Sequence, residues 1–237
     1  MLYADTADLE ELEEMLSLGL FSGITTNQKI LLKANPEDYE KRLEQLCEIS
    51  PGSVSVELTQ SKNDYDQLIL EAHRYHTIDP DKIVIKVPMW GDGTGVYVAR
   101  ELSKLDIPVN MTCLMSVNQA LLGCLSNVRY VSLFYNRMAD YYQGKDKNKE
   151  KGKEIAGLVF GYTRRLIDRF GWKSKIIAGS IREPTDVAMC LMQGADIVTV
   201  PFKIYRQLFT HPKSEETIAE FDKAWLEYKH SNKALAQ

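Results

Sequence analysis

Short apolar runs alternate with longer amphipathic segments along the whole chain. Runs of β-branched and aromatic residues bounded by polar residues are typical of strands, whereas leucines spaced three and four apart predict helices. The pattern predicts eight strands, over Leu2–Ala4, Phe21–Asn27, Ser53–Leu58, Asp81–Pro88, Pro108–Leu114, Tyr130–Tyr135, Lys175–Ser180 and Asp196–Pro201. A helical segment follows each strand, which is the order expected of a parallel α/β protein.

Polar residues indicate where several of these helices begin. We predict Asn35 as an N-cap with Pro36 at the first helical position, because both residue types favour a helix N-terminus. Ser116 and Pro184 are predicted to begin the helices after the fifth and seventh strands. The lysine-rich stretch Lys145–Lys153 is interpreted as a solvated loop or the start of the next helix.

Strand followed by helix recurs without a change of composition that would mark a linker. The 237 residues are close to the roughly 250 usual for a (β/α)8 barrel. We therefore predict a single (β/α)8 TIM barrel domain over residues 1–237, with an extra C-terminal helix at about residues 214–230 that carries Phe221 and Trp225 on one face. A doubly wound open sheet is the alternative, but the first strand lacks a dinucleotide-binding fingerprint.

Composition narrows the range of partners. The formal net charge is −4, which gives no reason to expect binding to nucleic acid or to an anionic membrane. No apolar stretch is long enough to cross a bilayer, and the chain opens on a strand rather than a signal segment, so we expect a cytoplasmic protein. The four cysteines lie far apart without metal-ligand spacing; we expect reduced core thiols and no metal site.

Lys86 is the anomaly of the fourth strand, because it interrupts the apolar run Ile83-Val84-Ile85-Lys86-Val87-Pro88. A lysine on a buried face loses hydration of its ammonium group, which favours the neutral amine and makes it a nucleophile toward carbonyls. The alternative is a lysine near a strand end whose stem follows apolar surface while its charge reaches water. The residues at the ends of the other predicted strands distinguish the buried nucleophile from the surface lysine.

Polar residues cluster where predicted strands end, and in a barrel these ends form the active face. They are Asp5, Asn27, Glu57, Lys86, Asn110, Thr112, Arg137, Ser180 and Arg182. Two carboxylates and a lysine in one barrel mouth suggest carbonyl chemistry, with Asp5 or Glu57 moving protons. Structural ion pairs for the carboxylates, and capping roles for Asn110 and Thr112, are the alternatives. The late strands carry Arg137, Ser180 and Arg182, which could together bind an anion.

Six ordered segments resemble the transaldolase family, specifically its small branch that includes microbial transaldolases and fructose-6-phosphate aldolase. They are Tyr3-Ala4-Asp5-Thr6, Gly23-Ile24-Thr25-Thr26-Asn27, Ile85-Lys86-Val87-Pro88, Val109-Asn110-Met111-Thr112, Asn136-Arg137 and Ala178-Gly179-Ser180-Ile181-Arg182. The resemblance covers nearly the whole chain. It implies that Lys86 forms a Schiff base and that Asp5 handles a hydroxyl proton. Glu57 and Thr112 would hold a proton-relaying water.

The resemblance also implies the substrate contacts. Asn27 and Asn110 would contact the dihydroxyacetone portion of a sugar, and Arg137, Ser180 and Arg182 would bind its terminal anion. The expected partner is a small sugar phosphate or sugar sulfonate, with no metal or organic cofactor. The branch resembles ring-forming homo-oligomers, so we expect a homo-oligomer such as a pentamer or decamer in which the C-terminal helix packs on a neighbour. The alternative is that this helix covers its own barrel.

Two positions favour transfer over simple aldol cleavage. Aldolase members of the family carry glutamine where this chain has Glu57, and tyrosine where it has Phe134. The implied activity is transfer of a dihydroxyacetone unit from fructose 6-phosphate or sedoheptulose 7-phosphate to an aldose phosphate. The alternatives are a 6-deoxy-6-sulfofructose transaldolase, a fructose-6-phosphate aldolase, and a sugar-phosphate-binding barrel without catalysis. Gln28, where the family usually has proline, and Lys145–Lys153 depart from the family pattern.

Overall fold

The eight predicted strands close into a parallel barrel in a computed structural model, which describes residues 1–145 and 147–234. The strands are β1 (Leu2–Ala4), β2 (Phe21–Thr25), β3 (Val54–Glu57), β4 (Ile83–Pro88), β5 (Val109–Leu114), β6 (Tyr130–Phe134), β7 (Lys175–Gly179) and β8 (Ile197–Val200). Each strand pairs with the next, and β1 pairs with β8. The (β/α)8 barrel is confirmed, and the open-sheet alternative is wrong because an open sheet has no pairing between its first and last strands.

Helices surround the barrel and fill the connections between strands. They are α1 (Leu9–Ser17), α2 (Gln28–Ala34), α3 (Tyr39–Ile49), α4 (Tyr65–His76), α5 (Thr94–Lys104), α6 (Val117–Leu125), α7 (Tyr135–Tyr142), α8 (Lys149–Phe170), α9 (Pro184–Met192), α10 (Phe202–Tyr205) and α11 (Pro212–Ala234). Ser116 accepts from the Gln119 amide as the N-cap of α6, and Pro184 is the first residue of α9, as predicted. Residues 235–237 of the predicted domain lie outside the described residues.

The connection after β2 differs from the prediction. Asn35 does not begin a helix; it ends α2, with its backbone in the left-handed region at a φ of 44° and its amide donating to Leu31 O. Asparagine tolerates this conformation, which commonly ends helices. The N-cap of α3 is Asp38, whose side chain accepts from the amide of Lys41. The sequence pattern therefore missed α2, which begins directly after the barrel residues of β2.

The connection after β6 also differs. Tyr135, predicted as strand, is instead the first residue of α7, so the chain turns at Phe134 straight into a helix. The stretch Lys145–Lys153 contains both predicted forms: a turn comes first, and α8 begins after its N-cap Asn148. Asp146, within this stretch, lies outside the described residues.

A hydroxyl cluster inside the barrel closes its N-terminal end. Tyr3, Ser53 and Tyr130 meet there, with 3.0 Å between the Tyr3 and Ser53 hydroxyls and 3.2 Å from each of these to the Tyr130 hydroxyl. Three apolar side chains pack around the two tyrosines: Val84, Ile177 and Ile197. Burial raises the pKa of Tyr3, so its hydroxyl keeps its proton at neutral pH. The interior of the barrel is thus filled at this end by side chains, and the cavity that Lys86 lines lies toward the strands' carboxyl ends.

Three of the four free cysteines, Cys47, Cys124 and Cys190, are buried, as expected of core thiols. Cys113 differs, because it is only partly buried. Its backbone has a φ of 61° at the point where the pairing of β5 with β6 shifts register. An irregularity of this kind re-aims neighbouring side chains and is common beside functional sites.

The C-terminal helix α11 has no cover from the barrel. Every residue from 211 to 231 is exposed, including Phe221 at 68% and Trp225 at 54% of their surface. The alternative that these aromatic side chains cover their own barrel is therefore wrong for the single chain.

No helix in the described part of the chain has the length and apolar character needed to cross a bilayer. No three histidine, cysteine, aspartate or glutamate residues among the same residues come together as metal ligands would.

A close backbone contact joins α5 to the end of β4. A Cβ atom on Gly95 would lie 2.2 Å from the carbonyl oxygen of Pro88, whereas one on Gly91, in the loop between β4 and α5, would meet nothing within 4 Å. The first contact is between a side-chain position and rigid backbone, so it cannot be relieved by a rotamer change.

We expect Gly95→Ala to destabilise the barrel by about 1–3 kcal/mol, the usual cost of overpacking, and Gly91→Ala to change stability by less than about 0.5 kcal/mol. Urea denaturation of both variants measures the difference. Equal stability of the two variants would show that β4 and α5 can move apart at this contact without a cost in free energy, contrary to their close packing.

Candidate active site

Lys86 lies inside the barrel at the level where the pairing of β3 with β4 ends. Strand register places it beside Glu57 on one side and Asn110 on the other. Lys86 is only 5% exposed; its Nζ donates to the carbonyl oxygen of Thr26 at 2.9 Å and lies 3.5 Å from Glu57 Oε2. The alternative of a lysine whose charge extends along the surface into bulk water is wrong, because the side chain is buried and its Nζ is directed to Thr26 and Glu57.

Asp5 follows β1 and faces the same space. Its carboxylate accepts a hydrogen bond from the Thr25 hydroxyl at 2.7 Å, and that hydroxyl also contacts the hydroxyl of Thr199. Burial raises the pKa of Asp5, and the positive charge of Lys86 opposes that rise. A carboxyl whose pKa is raised exchanges its proton more readily near neutral pH than a solvated one.

Glu57, the last residue of β3, also has a raised pKa because of its burial. Lys86 and the side-chain amide of Gln28 oppose this rise by favouring the charged form. Gln28 begins α2, and its Nε2 donates to the carbonyl oxygen of Leu58 at 2.8 Å. The residue that replaces the family's usual proline therefore ties α2 to the end of β3, beside the carboxyl of Glu57.

Two inward residues of β5 differ in what their side chains do. Asn110 is fully buried and bonded on both sides: its Nδ2 donates to Ser55 Oγ at 3.1 Å, and its Oδ1 accepts from Ser132 Oγ at 2.7 Å. The Oγ of Thr112 is buried without a hydrogen-bond partner among the described residues. A buried hydroxyl in that state is well suited to hold a water molecule.

The opposite side of the mouth carries a cationic group. Arg137, in the first turn of α7, lies over the Phe134 ring with 5.8 Å between guanidinium and ring centre. Ser180 follows β7 with its backbone in the left-handed region at a φ of 61°, a conformation that costs free energy for a residue with a Cβ. Both residues line the same cavity as Lys86.

Arg182 is not brought into that cavity. Its guanidinium forms two parallel hydrogen bonds to Asp140, at 3.0 Å to Oδ1 and 2.7 Å to Oδ2. Asn27 does line the cavity, but its Oδ1 also accepts from the Ile30 amide at 3.0 Å and so caps α2. Arg182, predicted to bind an anion, is thus already paired with a carboxylate. Asn27, predicted to contact the substrate, also has a structural role as a helix cap.

The cavity has a volume of about 190 Å³ and joins the amine to the cationic side of the mouth. Its lining consists of Asp5, Thr25, Asn27, Lys86, Asn110, Ser132, Phe134, Arg137, Ile177, Gly179, Ser180 and Thr199. The predicted site residues absent from this lining are Glu57, Thr112 and Arg182. Glu57 lies 3.5 Å from the Nζ of Lys86, whereas Arg182 is paired with Asp140.

Sequence reasoning missed Thr25, Ser132 and Thr199 as parts of the site. Strand parity could have found Thr199, because it is a polar residue in the apolar run of β8 and one step from the strand's end. Ser132 was equally readable as the polar residue in the middle of β6. Thr25 donates to Asp5, Ser132 donates to Asn110, and Thr199 contacts the Thr25 hydroxyl, so these residues orient side chains that the sequence did single out.

The arrangement suits covalent chemistry on a carbonyl compound. It offers a buried primary amine, two carboxyls whose pKa values are raised, and a guanidinium across the cavity. The amine can add to a carbonyl, the carboxyls can accept and return protons, and the guanidinium can hold an anionic end of the same molecule.

Comparisons with known proteins agree on one family. The family model described as Transaldolase/Fructose-6-phosphate aldolase matches residues 2–237. A protein named probable transaldolase from Carboxydothermus hydrogenoformans is 34% identical over 224 residues, covering 94% of this chain and 97% of its own. A protein of the same name from Desulfotalea psychrophila is 34% identical over 223 residues, covering 94% and 96%.

A solved structure supports the fold alone. A mandelate oxidase variant with an FMN adduct superposes with a TM-score of 0.55 at 14% sequence identity. The match covers 85% of this chain and 64% of that chain. At so low an identity the likeness concerns the barrel and carries no inference about chemistry.

We expect Glu57→Gln to melt at a higher temperature than the wild type at pH 8, by about 2–4 °C. Because burial raises the folded-state pKa of Glu57, its stabilising effect is present below the unfolded value of about 4.3 and is lost as pH rises through the folded-state pKa. The wild type therefore keeps a costly buried charge at pH 8 that glutamine lacks.

The gap between wild type and Glu57→Gln should narrow as the pH is lowered toward 5, and thermal melting at several pH values measures it. Glu40→Gln, which removes an exposed carboxylate paired with Arg74, serves as the control and should not gain stability at pH 8. A lower melting temperature of Glu57→Gln at pH 8 would mean that the contact with Lys86 outweighs the burial cost.

Proposed function

Because the chain belongs to the transaldolase/fructose-6-phosphate aldolase family, we propose that it is a transaldolase that passes a dihydroxyacetone unit from a ketose phosphate to an aldose phosphate through a Schiff base on Lys86. The main support is the position of Lys86, enclosed in the barrel with Glu57 at 3.5 Å and Arg137 lining the same cavity. The proposed donors are fructose 6-phosphate and sedoheptulose 7-phosphate.

Imine formation begins at Lys86. The amine adds to the C2 carbonyl of the ketose, and the resulting carbinolamine loses water to give a protonated imine. Addition requires the neutral amine, and the Glu57 carboxyl is close enough to take the ammonium proton. Its raised pKa lowers the free-energy cost of that proton transfer.

The bond between C3 and C4 then breaks with Asp5 as the base. Asp5 takes the proton of the C4 hydroxyl, the C4 oxygen becomes an aldehyde, and the bonding electrons move to the iminium nitrogen. The product is an enamine on Lys86 and a free aldose phosphate. The hydroxyl of Thr25, which donates to Asp5 at 2.7 Å, supports this role by fixing the direction of the carboxylate.

A water molecule between Thr112 and Glu57 is the proposed proton relay during imine formation and hydrolysis. The support is the buried Oγ of Thr112, which has no hydrogen-bond partner among the described residues and would gain one from such a water. Asn110 is fixed by Ser55 and Ser132 and is proposed to meet the hydroxyls of the three-carbon unit together with Asn27.

The terminal anion of the sugar is proposed to bind at Arg137 and Ser180. The pairing of Arg182 with Asp140 supports a second candidate donor, 6-deoxy-6-sulfofructose. A sulfonate carries one negative charge, whereas a phosphate carries nearly two at neutral pH. With one of the two expected arginines neutralised by a carboxylate, the site suits a singly charged group as well as a phosphate.

Transfer is favoured over simple cleavage at two positions. Glu57 and Phe134 are the residues expected of transferring members, as opposed to glutamine and tyrosine. Phe134 lies at the cavity wall under Arg137, where a phenol hydroxyl would place a proton donor beside the enamine. The absence of a phenol hydroxyl at this position supports an enamine that persists until an acceptor aldehyde binds.

The assembly and location stay predictions. The exposed aromatic side chains of α11, Phe221 and Trp225, support a homo-oligomer in which this helix packs on a neighbouring copy. A cytoplasmic location agrees with phosphorylated sugars as reactants.

Reduction with borohydride in the presence of fructose 6-phosphate should leave a three-carbon adduct on Lys86, because the reagent reduces the imine and fixes it. Peptide mass spectrometry identifies the residue. Lys86→Met should lose turnover by at least about 10⁴-fold, the scale expected when a covalent nucleophile is removed, while melting as a folded protein.

Offering fructose 6-phosphate and 6-deoxy-6-sulfofructose separately ranks the two donors by the rate of labelling. Wild-type turnover in Lys86→Met would refute the mechanism. If neither sugar labels the wild type but both bind, the barrel is a sugar-binding protein without catalysis.

The double variant Glu57→Gln, Phe134→Tyr should raise protonation of the enamine relative to its transfer, by about tenfold in the ratio of free dihydroxyacetone to transferred product. A tyrosine hydroxyl in the cavity supplies the proton that discharges the enamine. Chromatography of the products with and without an acceptor aldehyde gives the ratio, and an unchanged ratio would show that these two positions do not set the outcome.

A further inference from the structure

A buried carboxylate beside the mouth has no part in the chemistry proposed above. Asp186 lies in the first turn of α9 with its side chain 1% exposed. Its Oδ2 accepts from Asn136 Nδ2 at 2.7 Å and from the backbone amides of Arg182 and Glu183 at 3.1 Å and 3.0 Å. Its Oδ1 accepts from Lys153 Nζ at 2.6 Å. Four donors from three segments thus meet on one carboxylate.

The segments that Asp186 joins are those that carry the anion-binding residues. Asn136 immediately precedes Arg137, and its Nδ2 also donates to the carbonyl oxygen of Ser180 at 2.9 Å. Ser180 occupies the left-handed region, which its surroundings must stabilise. Asn136 and the loop after β7 hold it there, and both depend on the same carboxylate.

Lys153 supplies the countercharge for Asp186. It reaches from the first turns of α8, the lysine-rich stretch that departs from the family pattern, and it also donates to Glu183 Oε2 at 2.6 Å. Burial alone would raise the pKa of Asp186, but the hydrogen bonds from Lys153 and Asn136 hold it below its ordinary value. The carboxylate is therefore charged at neutral pH and keeps all its donors.

We propose that Asp186, held by Lys153, is a positioning residue that fixes Ser180 and Arg137 in the geometry that binds the terminal anion of the substrate. This inference rests on the proposed function for the identity of the anion. It extends that function because it gives the lysine-rich stretch a role in fixing the geometry of the anion-binding subsite. Neither Asp186 nor Lys153 lines the cavity itself, so both would act through Ser180 and Arg137.

Charge and positioning predict opposite effects for the decisive variant. Asp186→Asn removes a negative charge close to the subsite, so electrostatics alone would strengthen anion binding. Asparagine offers a single acceptor oxygen in place of a carboxylate, so it cannot bond the lysine, the asparagine and two backbone amides together. If Asp186 positions the subsite, the same variant binds anions more weakly.

The test measures binding of inorganic phosphate by calorimetry. We expect the Kd to rise about tenfold in Asp186→Asn and in Lys153→Met, and to stay within about threefold of wild type in Lys153→Arg, which preserves the charge and its donors. Asp196→Asn is the matched control: Asp196 also accepts from an α8 cation, Arg164, and from a backbone amide, but it lies at the opposite end of the barrel.

An unchanged or lower Kd in a folded Asp186→Asn variant overturns the inference, and so does an equal rise in Asp196→Asn or a wild type that does not bind phosphate. If Asp186→Asn fails to fold, the comparison of Lys153→Met with Lys153→Arg tests the inference instead, because Lys153 is partly exposed. With fructose 6-phosphate, KM should rise while kcat changes little. The yield of borohydride trapping with dihydroxyacetone, which has no anionic end, should be equal in all these variants. If the wild type gives no trapped adduct, that result counts against the Schiff base on Lys86 and not against the phosphate measurement.

Discussion

The amino group of Lys86, buried inside a protein barrel, is the constraint on which the rest of the site depends. Lys86 is only 5% exposed, so neighbouring protein groups must supply most of the hydrogen bonds that water would otherwise make. The Thr26 carbonyl and the Glu57 carboxyl do so directly, and Asp5 contributes its field. The carboxyls are themselves buried and need the hydroxyls and amides around them. One charged residue in an apolar strand thus accounts for the polar interior at the mouth.

Much of the fold was readable because strand and helix have different apolar periods. The strands lie within a few residues of their predicted positions, and the closed order follows from eight repeats at this length. The errors fall where one residue type serves two purposes. Asn35 carries the signal of a helix start and of a helix end, and only the left-handed backbone at that point shows which applies. Asn27 likewise ends a strand segment and caps α2.

The site was readable only in part, because strand parity finds residues but not the partners that loops bring to them. Lys86, Glu57 and Asn110 share a level of the barrel, and their register follows from the strands. Arg182 and Asp140 meet from two connections that are 42 residues apart in sequence. No local pattern predicts such a pair. Asp186 was not predicted for the same reason, because its hydrogen-bond donors come from three separate segments.

The hydroxyl cluster of Tyr3, Ser53 and Tyr130 has a consequence for the order of events. Because these side chains fill the barrel's N-terminal end, the cavity beside Lys86 lies toward the carboxyl ends of the strands. At about 190 Å³ it is smaller than the roughly 300–1,000 Å³ usual for ligand pockets, so it has room for one small ligand at a time. Under the proposed transfer reaction, the aldose product would have to leave this cavity before the acceptor enters, and the three-carbon unit would stay on the enzyme in between. A reaction in that order has ping-pong kinetics, so the size of the cavity and the proposed chemistry agree on one kinetic scheme.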